Sequence, residues 1–322
     1  MGVLPAVAVV LTLTLLIEVS VAVVYVVLRY ITGGKKKDKK PSVKKTPRFV
    51  AFVKKHLAGT IISAVVFLVI LLYTVLFFIQ DLLIFHPNNY FAEAASRLEN
   101  VTKISLLDGE YSGFLRKSGS KDLMVFYCGN AESAASAICI FCDPEDPVAE
   151  VLADYDILVV DYPGYGESSG KPGEKAFYEM ADAVIDYTGG LSGYEHKYLV
   201  AYSIGTGVAT YTASRSDWDK LVLIAPYNNF TDECCSVFPV FFGPLKGLIK
   251  HRFPSDEYAK SISEPTCIIV STDDTLINNK LSEKLKEAFP TTPKYIQLAG
   301  LTHGEMCSSK KVFEQIVRFL EE

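Results

Sequence analysis

Charge is missing from two long stretches of this sequence. No residue between Leu57 and Ile79 is ionisable as a charge carrier, and only Glu18 interrupts the apolar run from Val3 to Leu28. Each run is about 20 residues or longer, enough to cross the hydrocarbon core of a bilayer as a helix. The first run also lacks the basic start, short apolar core and small-residue cleavage site of a signal peptide. Two membrane-spanning helices are therefore expected, within residues 1–32 and 57–79, with one globular domain over 80–322. With no second ionisable group in either span's interior, Glu18 is read as a protonated side chain bonded to the neighbouring helix.

Cysteine is absent from the first 120 residues, and the 7 that follow have no metal-site spacing. Cys139 and Cys142 are three apart, but no second pair or histidine completes them. No metal and no cofactor are expected. Acid is almost absent from residues 29–56, where Arg29, Lys35–Lys37, Lys39, Lys40, Lys44, Lys45, Arg48, Lys54 and Lys55 face only Asp38. The whole chain still has a formal net charge of −5, so the domain beyond the second span is strongly acidic. That excludes a nucleic-acid partner.

What is present gives a topology and a rhythm. A short basic loop over 33–56 belongs on the cytoplasmic side by the positive-inside rule, which puts the domain in the lumen or outside the cell. The sequons Asn100-Val101-Thr102 and Asn229-Phe230-Thr231 agree with that side. From residue 100 the chain alternates. Lys103–Leu107 and Tyr111–Arg116 read as a hairpin around Asp108-Gly109. Strands then follow at Leu123–Cys128, Asp156–Val160, Tyr198–Ala201, Leu221–Ala225, Cys267–Ser271 and Tyr295–Leu298. Helices are expected at Ala131–Phe141, Glu174 to about Tyr187, Ile204–Ser214, Lys280–Ala288 and Met306–Leu320. The alternation predicts an α/β domain, a mostly parallel sheet covered on both faces. Such sheets bind ligands at the carboxyl ends of their strands.

At one of those ends stands Ala201-Tyr202-Ser203-Ile204-Gly205, a G-x-S-x-G elbow with alanine in its first glycine position. Small residues two before and two after the serine let strand and helix approach closely, and the sharp turn presents the hydroxyl above a helix N-terminus. A serine nucleophile needs a base. Of the 5 histidines, His56 lies beside the second span, His86 opens the domain, His196 precedes a strand and His251 falls in an insertion. Only His303 follows the last strand, at the correct end of the sheet. Asp273 and Asp274 both follow the strand before it, and either can orient the imidazole. The oxyanion hole would take the Ile204 N–H and an N–H from the loop Cys128-Gly129-Asn130-Ala131-Glu132, supplied by Asn130 or Ala131.

The loop Asp161-Tyr162-Pro163-Gly164-Tyr165-Gly166-Glu167-Ser168-Ser169-Gly170, the Gly129-Asn130-Ala131 turn, the elbow and Ile84-Phe85-His86-Pro87 together resemble a known group. They are similar to the membrane-anchored α/β-hydrolase domain-containing proteins of types 13 and 17 and their fungal polarity-protein relatives, over roughly residues 80–322. The resemblance implies the α/β-hydrolase fold and a Ser-Asp-His triad. Aligned on the family's Gly-x-x-Asp-x-x-Val-Pro, the acid falls on Asp274. Three departures stand out. Ala201 replaces a glycine, Cys128 replaces a histidine common before Gly-Asn, and a second span is added to the usual single anchor.

An insertion over about 227–264, apolar and aromatic from Phe238 to Phe253, occupies the place of a cap. It serves either as an acyl-chain wall or as a helix packed on the core. Membrane anchorage points to a lipid-like ester or thioester, on a small molecule or an acylated protein. Two other classes are kept: a prolyl-oligopeptidase-like serine peptidase, and a non-catalytic membrane scaffold with a hydrolase fold.

Overall fold

The computed structural model describes residues 48–88, 91–238 and 240–322. The first expected span, Glu18 and most of the basic loop lie outside the described residues. The chain divides into two compact units between Leu83 and Ile84.

Among the described residues the first helix is α1 (Arg48–Ile84). Its Ile61–Ile84 portion is long and apolar enough to cross a membrane. Ile62, Phe67, Phe78 and Leu82 are exposed along it. The helix differs from expectation at both ends. Arg48–His56, expected in the loop, are helical, and the helix continues past Ile79 to Ile84. No proline or glycine interrupts Arg48–Leu57, so nothing in that stretch stops the helix from starting early. At the far end, Gln80 and Asp81 are polar but not helix-breaking. Pro87, which has no N–H and restricts the residue before it, is the real stop.

The second unit is built on an eight-stranded sheet: β1 (Val101–Leu106), β2 (Tyr111–Arg116), β3 (Asp122–Tyr127), β4 (Asp156–Val160), β5 (His196–Tyr202), β6 (Lys220–Ile224), β7 (Thr266–Ser271) and β8 (Lys294–Leu298). Their order is β1-β2-β4-β3-β5-β6-β7-β8. The β1–β2 and β2–β4 pairs are antiparallel, and every later pair is parallel. The expected hairpin is present. Leu107, Asp108 and Gly109 all take positive φ at its turn. Strands β3 to β7 are apolar along most of their length because helices cover both faces, and their central residues are fully buried.

Those helices are α2 (Ala92–Ala95), α3 (Ala134–Cys142), α4 (Pro147–Val151), α5 (Glu174–Gly190), α6 (Gly205–Ala213), α7 (Phe230–Val237), α8 (Ser255–Tyr258), α9 (Asn279–Ala288) and α10 (Lys310–Leu320). Two start later than their apolar pattern suggests, and in both a capping box sets the boundary. Ser133 caps α3, its hydroxyl accepting from the Ser136 N–H, which leaves Ala131 in a loop at φ 63. Thr302 and Glu305 form a second box that opens a 3₁₀ turn over His303–Ser308, so α10 begins at Lys310 and not at Met306. Helix α4 was not expected, although Asp146 before Pro147 is a good helix start.

Candidate active site

Three strand ends meet at the carboxyl edge of the sheet. Ser203 follows β5 in the elbow, with φ 53, and its N–H is held by the Ile224 carbonyl at 2.9 Å. The tight turn depends on Gly205. A Cβ there would lie 2.5 Å from the Tyr127 carbonyl oxygen and 2.6 Å from that of Cys128. Ala201 is fully buried in the strand, so its methyl group is accommodated.

The structure brings Ser203, His303 and Asp274 into one hydrogen-bonded line. His303 Nε2 lies 3.0 Å from Ser203 Oγ, and His303 Nδ1 lies 2.7 Å from Asp274 Oδ2. The other Asp274 oxygen accepts the N–H groups of Leu276 and Ile277, at 2.8 and 2.9 Å. Burial alone would raise the Asp274 carboxyl. The His303 bond and those two amides outweigh it and hold the group below the usual carboxylate range. Asp273 points elsewhere. It is exposed, and its carboxylate accepts from the Gly300 N–H and the Thr272 hydroxyl, both at 2.7 Å. Asp273 therefore ties down the loop that carries His303 without touching the ring.

The remaining histidines are not part of this line. His196 sits at the opposite end of β5 and pairs with Asp219. His251 Nδ1 accepts from the Glu174 N–H, and the His86 N–H bonds to Asn130 and Tyr165.

In the loop after β3, the Gly129 N–H donates to Glu132 Oε2 at 2.6 Å and the Ala131 N–H to Asn130 Oδ1 at 3.1 Å. The Asn130 N–H is the amide of these three with no hydrogen bond among the described residues. Of the two expected donors, the Ala131 N–H is thus occupied and the Asn130 N–H is not. Ile204 caps the start of α6 and is buried beside Ser203.

Sequence reasoning missed the supports of this arrangement. Tyr202 lies with its ring 5.0 Å from the His303 ring, and its hydroxyl donates to the His303 carbonyl at 2.7 Å. Ser271 donates its hydroxyl to the Leu301 carbonyl at 2.6 Å, joining the acid loop to the histidine loop. Neither has a motif of its own. The position of Tyr202 beside the nucleophile was the available signal. Among the described residues no cluster of His, Cys, Asp and Glu is disposed to hold a metal.

A family model described as the alpha/beta hydrolase fold matches residues 122–238. The second unit also superposes on an esterase of Pyrococcus furiosus with a TM-score of 0.55. That likeness covers 74% of this chain and 97% of that one at 18% identity, and it bears on the fold. The chain carries an α/β-hydrolase domain. Curated relatives of the same domain include human Protein ABHD12B, 28% identical over 62% of this chain and 60% of that protein. The mouse Lysophosphatidylserine lipase ABHD12 is 32% identical over 41% of this chain and 37% of its own length. An uncharacterised Mycobacterium tuberculosis protein is 28% identical over 52% of this chain and 60% of that one. The chain thus spans 60% or less of the length of these relatives. The α/β-hydrolase fold expected from the sequence is present, and the matched segment includes Ser203 and the loop after β3.

Proposed function

We propose that this protein is a membrane-anchored serine hydrolase that cleaves an acyl ester or thioester through a covalent acyl-enzyme. The supporting observation is the line from Asp274 through His303 to Ser203, at 2.7 and 3.0 Å. In this reading His303 Nε2 takes the proton of Ser203 Oγ as the oxygen attacks the substrate carbonyl. Asp274 holds the Nδ1 proton and stabilises the imidazolium. The developing oxyanion is received by the Ile204 and Asn130 N–H groups. Collapse of the tetrahedral adduct expels the alcohol or thiol, which takes the proton back from His303. Water then repeats the sequence in reverse and frees the acid.

An acyl substrate is favoured by the insertion. Phe253 is fully buried and packs on Tyr178 and Phe230, so that part serves the core. Val237, Val240 and Phe242 remain exposed, as does Leu276 two residues from Asp274. The lipase name of the ABHD12 relatives points the same way. We place the basic stretch in the cytoplasm and the domain across the membrane. Of the two sequons, Asn100 is exposed, whereas the Asn229 side chain caps α7 and bonds to Asp256.

The deciding experiment is labelling of the membrane-embedded chain by a fluorophosphonate probe. Wild type should label and Ser203→Ala should not. Equal labelling of both would refute the assignment of the nucleophile, and no labelling of a folded wild type would favour the scaffold reading.

A further inference from the structure

We propose that the segment Ile84–Asn88, where the apolar helix ends, is a working part of the site, positioning the oxyanion loop through the Asn130 side chain and the Tyr165 hydroxyl. This rests on the hydrolase reading above. The Asn130 side chain is spent almost wholly on this task. Its Oδ1 accepts from the His86 N–H at 3.1 Å, the Tyr165 hydroxyl at 2.7 Å and the Ala131 N–H at 3.1 Å. Its Nδ2 donates to the Ile84 carbonyl at 2.5 Å. Tyr165 also accepts from the His86 N–H at 3.1 Å. One residue further along, the Asn88 amide donates to the Ala131 carbonyl. The Asn88 carbonyl accepts from the Gly166 N–H at 2.7 Å.

The last carbonyls of a helix and the first amides beyond it lack intrahelical partners and must find them elsewhere. Here those of Ile84 and His86 find Asn130 and Tyr165, not solvent. The segment is itself anchored. Phe85 is buried against Phe177 and His251, with ring centroids 5.3 and 4.9 Å away. Tyr165 is buried as well. Ala131, held at φ 63, lies in a backbone region that an alanine rarely occupies, so the surrounding bonds must enforce it. The Asn130 N–H, the loop amide without a hydrogen bond, lies between its own side chain and the Ala131 carbonyl, both of which the strap holds. An oxyanion donor works only within a few tenths of an ångström of its required place. The strap therefore acts through Asn130 on the transition state and not on substrate binding.

The test uses the full chain in lipid nanodiscs, with a p-nitrophenyl ester as substrate and a boronic acid as transition-state analogue. Tyr165→Phe removes one donor from Asn130 while His86 still bonds to it, and Asn88→Ala removes the tie to Ala131 without entering the core. Each should lower kcat about tenfold and weaken boronate binding in parallel, with KM within about twofold and the thermal midpoint nearly unchanged. The inference is overturned if both variants keep kcat within about twofold of wild type. It is equally overturned if kcat, KM and thermal midpoint fall together while boronate affinity holds. Ser203→Ala is run alongside. Retained turnover in that variant removes the hydrolase reading and the strap with it. A dead Ser203→Ala beside two unaffected strap variants removes the strap alone.

Discussion

Asp274 and Asp273 are adjacent carboxylates at the same strand end, and replacing each by asparagine should separate them sharply. In Asp274→Asn the amide must choose between two conflicts. If its oxygen keeps the Leu276 and Ile277 N–H groups, its NH₂ faces His303 Nδ1, now 2.7 Å from a carboxylate oxygen. The ring is then driven to the tautomer with its proton on Nε2, pointing at Ser203 Oγ, and it cannot accept the serine proton. If the amide flips, two backbone donors meet an NH₂ group in a nearly fully buried place. The same tautomer error in a serine protease costs about 10⁴-fold in kcat, or about 5.5 kcal/mol of barrier at 1.36 kcal/mol per tenfold. Asp273→Asn keeps an acceptor oxygen where Oδ2 takes both the Gly300 N–H and the Thr272 hydroxyl, and leaves the ring untouched. Its loss should stay within about tenfold, as for an exposed loop tie. Turnover of a short p-nitrophenyl ester by the two variants at neutral pH measures the difference. A larger loss in Asp273→Asn than in Asp274→Asn would refute the assignment of the acid.

Two further outcomes concern stability. Asp156 is buried at the far end of the sheet. It accepts from the Ser118, Gly119 and Ser120 N–H groups and from the Tyr194 hydroxyl. Burial acts to raise its pKa, but those donors win and hold it below the ordinary value. Its contribution is present above the unfolded value near 3.9 and is lost as pH falls through the folded one. Asp156→Ala should cost about 2–3 kcal/mol at pH 7 and flatten the acid limb of a denaturation series. An unchanged acid limb would show that other groups govern it. Glu233 is buried in α7, and its Oε2 has no partner among the described residues. Burial first, and then the nearby Asp274 charge, push its carboxyl up to about 8. The folded state thus holds a proton that the unfolded state releases above about 4.3, and stability falls as pH rises between those values. Glu233→Gln should melt above wild type at pH 8 and close to it at pH 4; parallel melting curves across that range would contradict the burial argument.

The sheet was legible because its central strands are largely apolar runs at the right spacing, and the elbow because Ala201, Ser203 and Gly205 satisfy a steric demand visible in one dimension. His303 was singled out by position alone, as the histidine after the last strand. Boundaries set by hydrogen bonds were less visible. Ala131 and Met306 suit a helix by residue type, and the side-chain pairs Ser133/Ser136 and Thr302/Glu305 decide that α3 and α10 start later. Arg48–His56 read as loop because charge, and not helix propensity, dominates the pattern there. Ile84-Phe85-His86-Pro87 carries part of the family resemblance, yet the role of the strap rests largely on main-chain groups, which any residue but proline supplies. No side-chain pattern can announce such a contact.

Cys128 stands where the resembled family commonly has histidine, and the fold shows how the loop is held without it. Cys128 is buried, with Sγ 3.8 Å from the Ser133 carbonyl, a weak contact for a thiol. The support comes from neighbours instead. The Tyr162 hydroxyl donates to the Cys128 carbonyl at 2.7 Å, and Glu132 accepts the Gly129 N–H. A Cβ on Gly129 would lie 2.6 Å from the Tyr202 ring, so that ring closes on the loop from the other side. Tyr202 and Glu132 are shared supports. Tyr202 also bonds to the His303 backbone. Glu132 also bonds to the Cys307 thiol. The loop after β3 and the turn that carries His303 are therefore held by the same two side chains. In the hydrolase reading, a displacement of either support would disturb proton transfer and charge stabilisation together. The losses from altering Tyr202 and Glu132 should then be non-additive, as they are for groups that act as one unit.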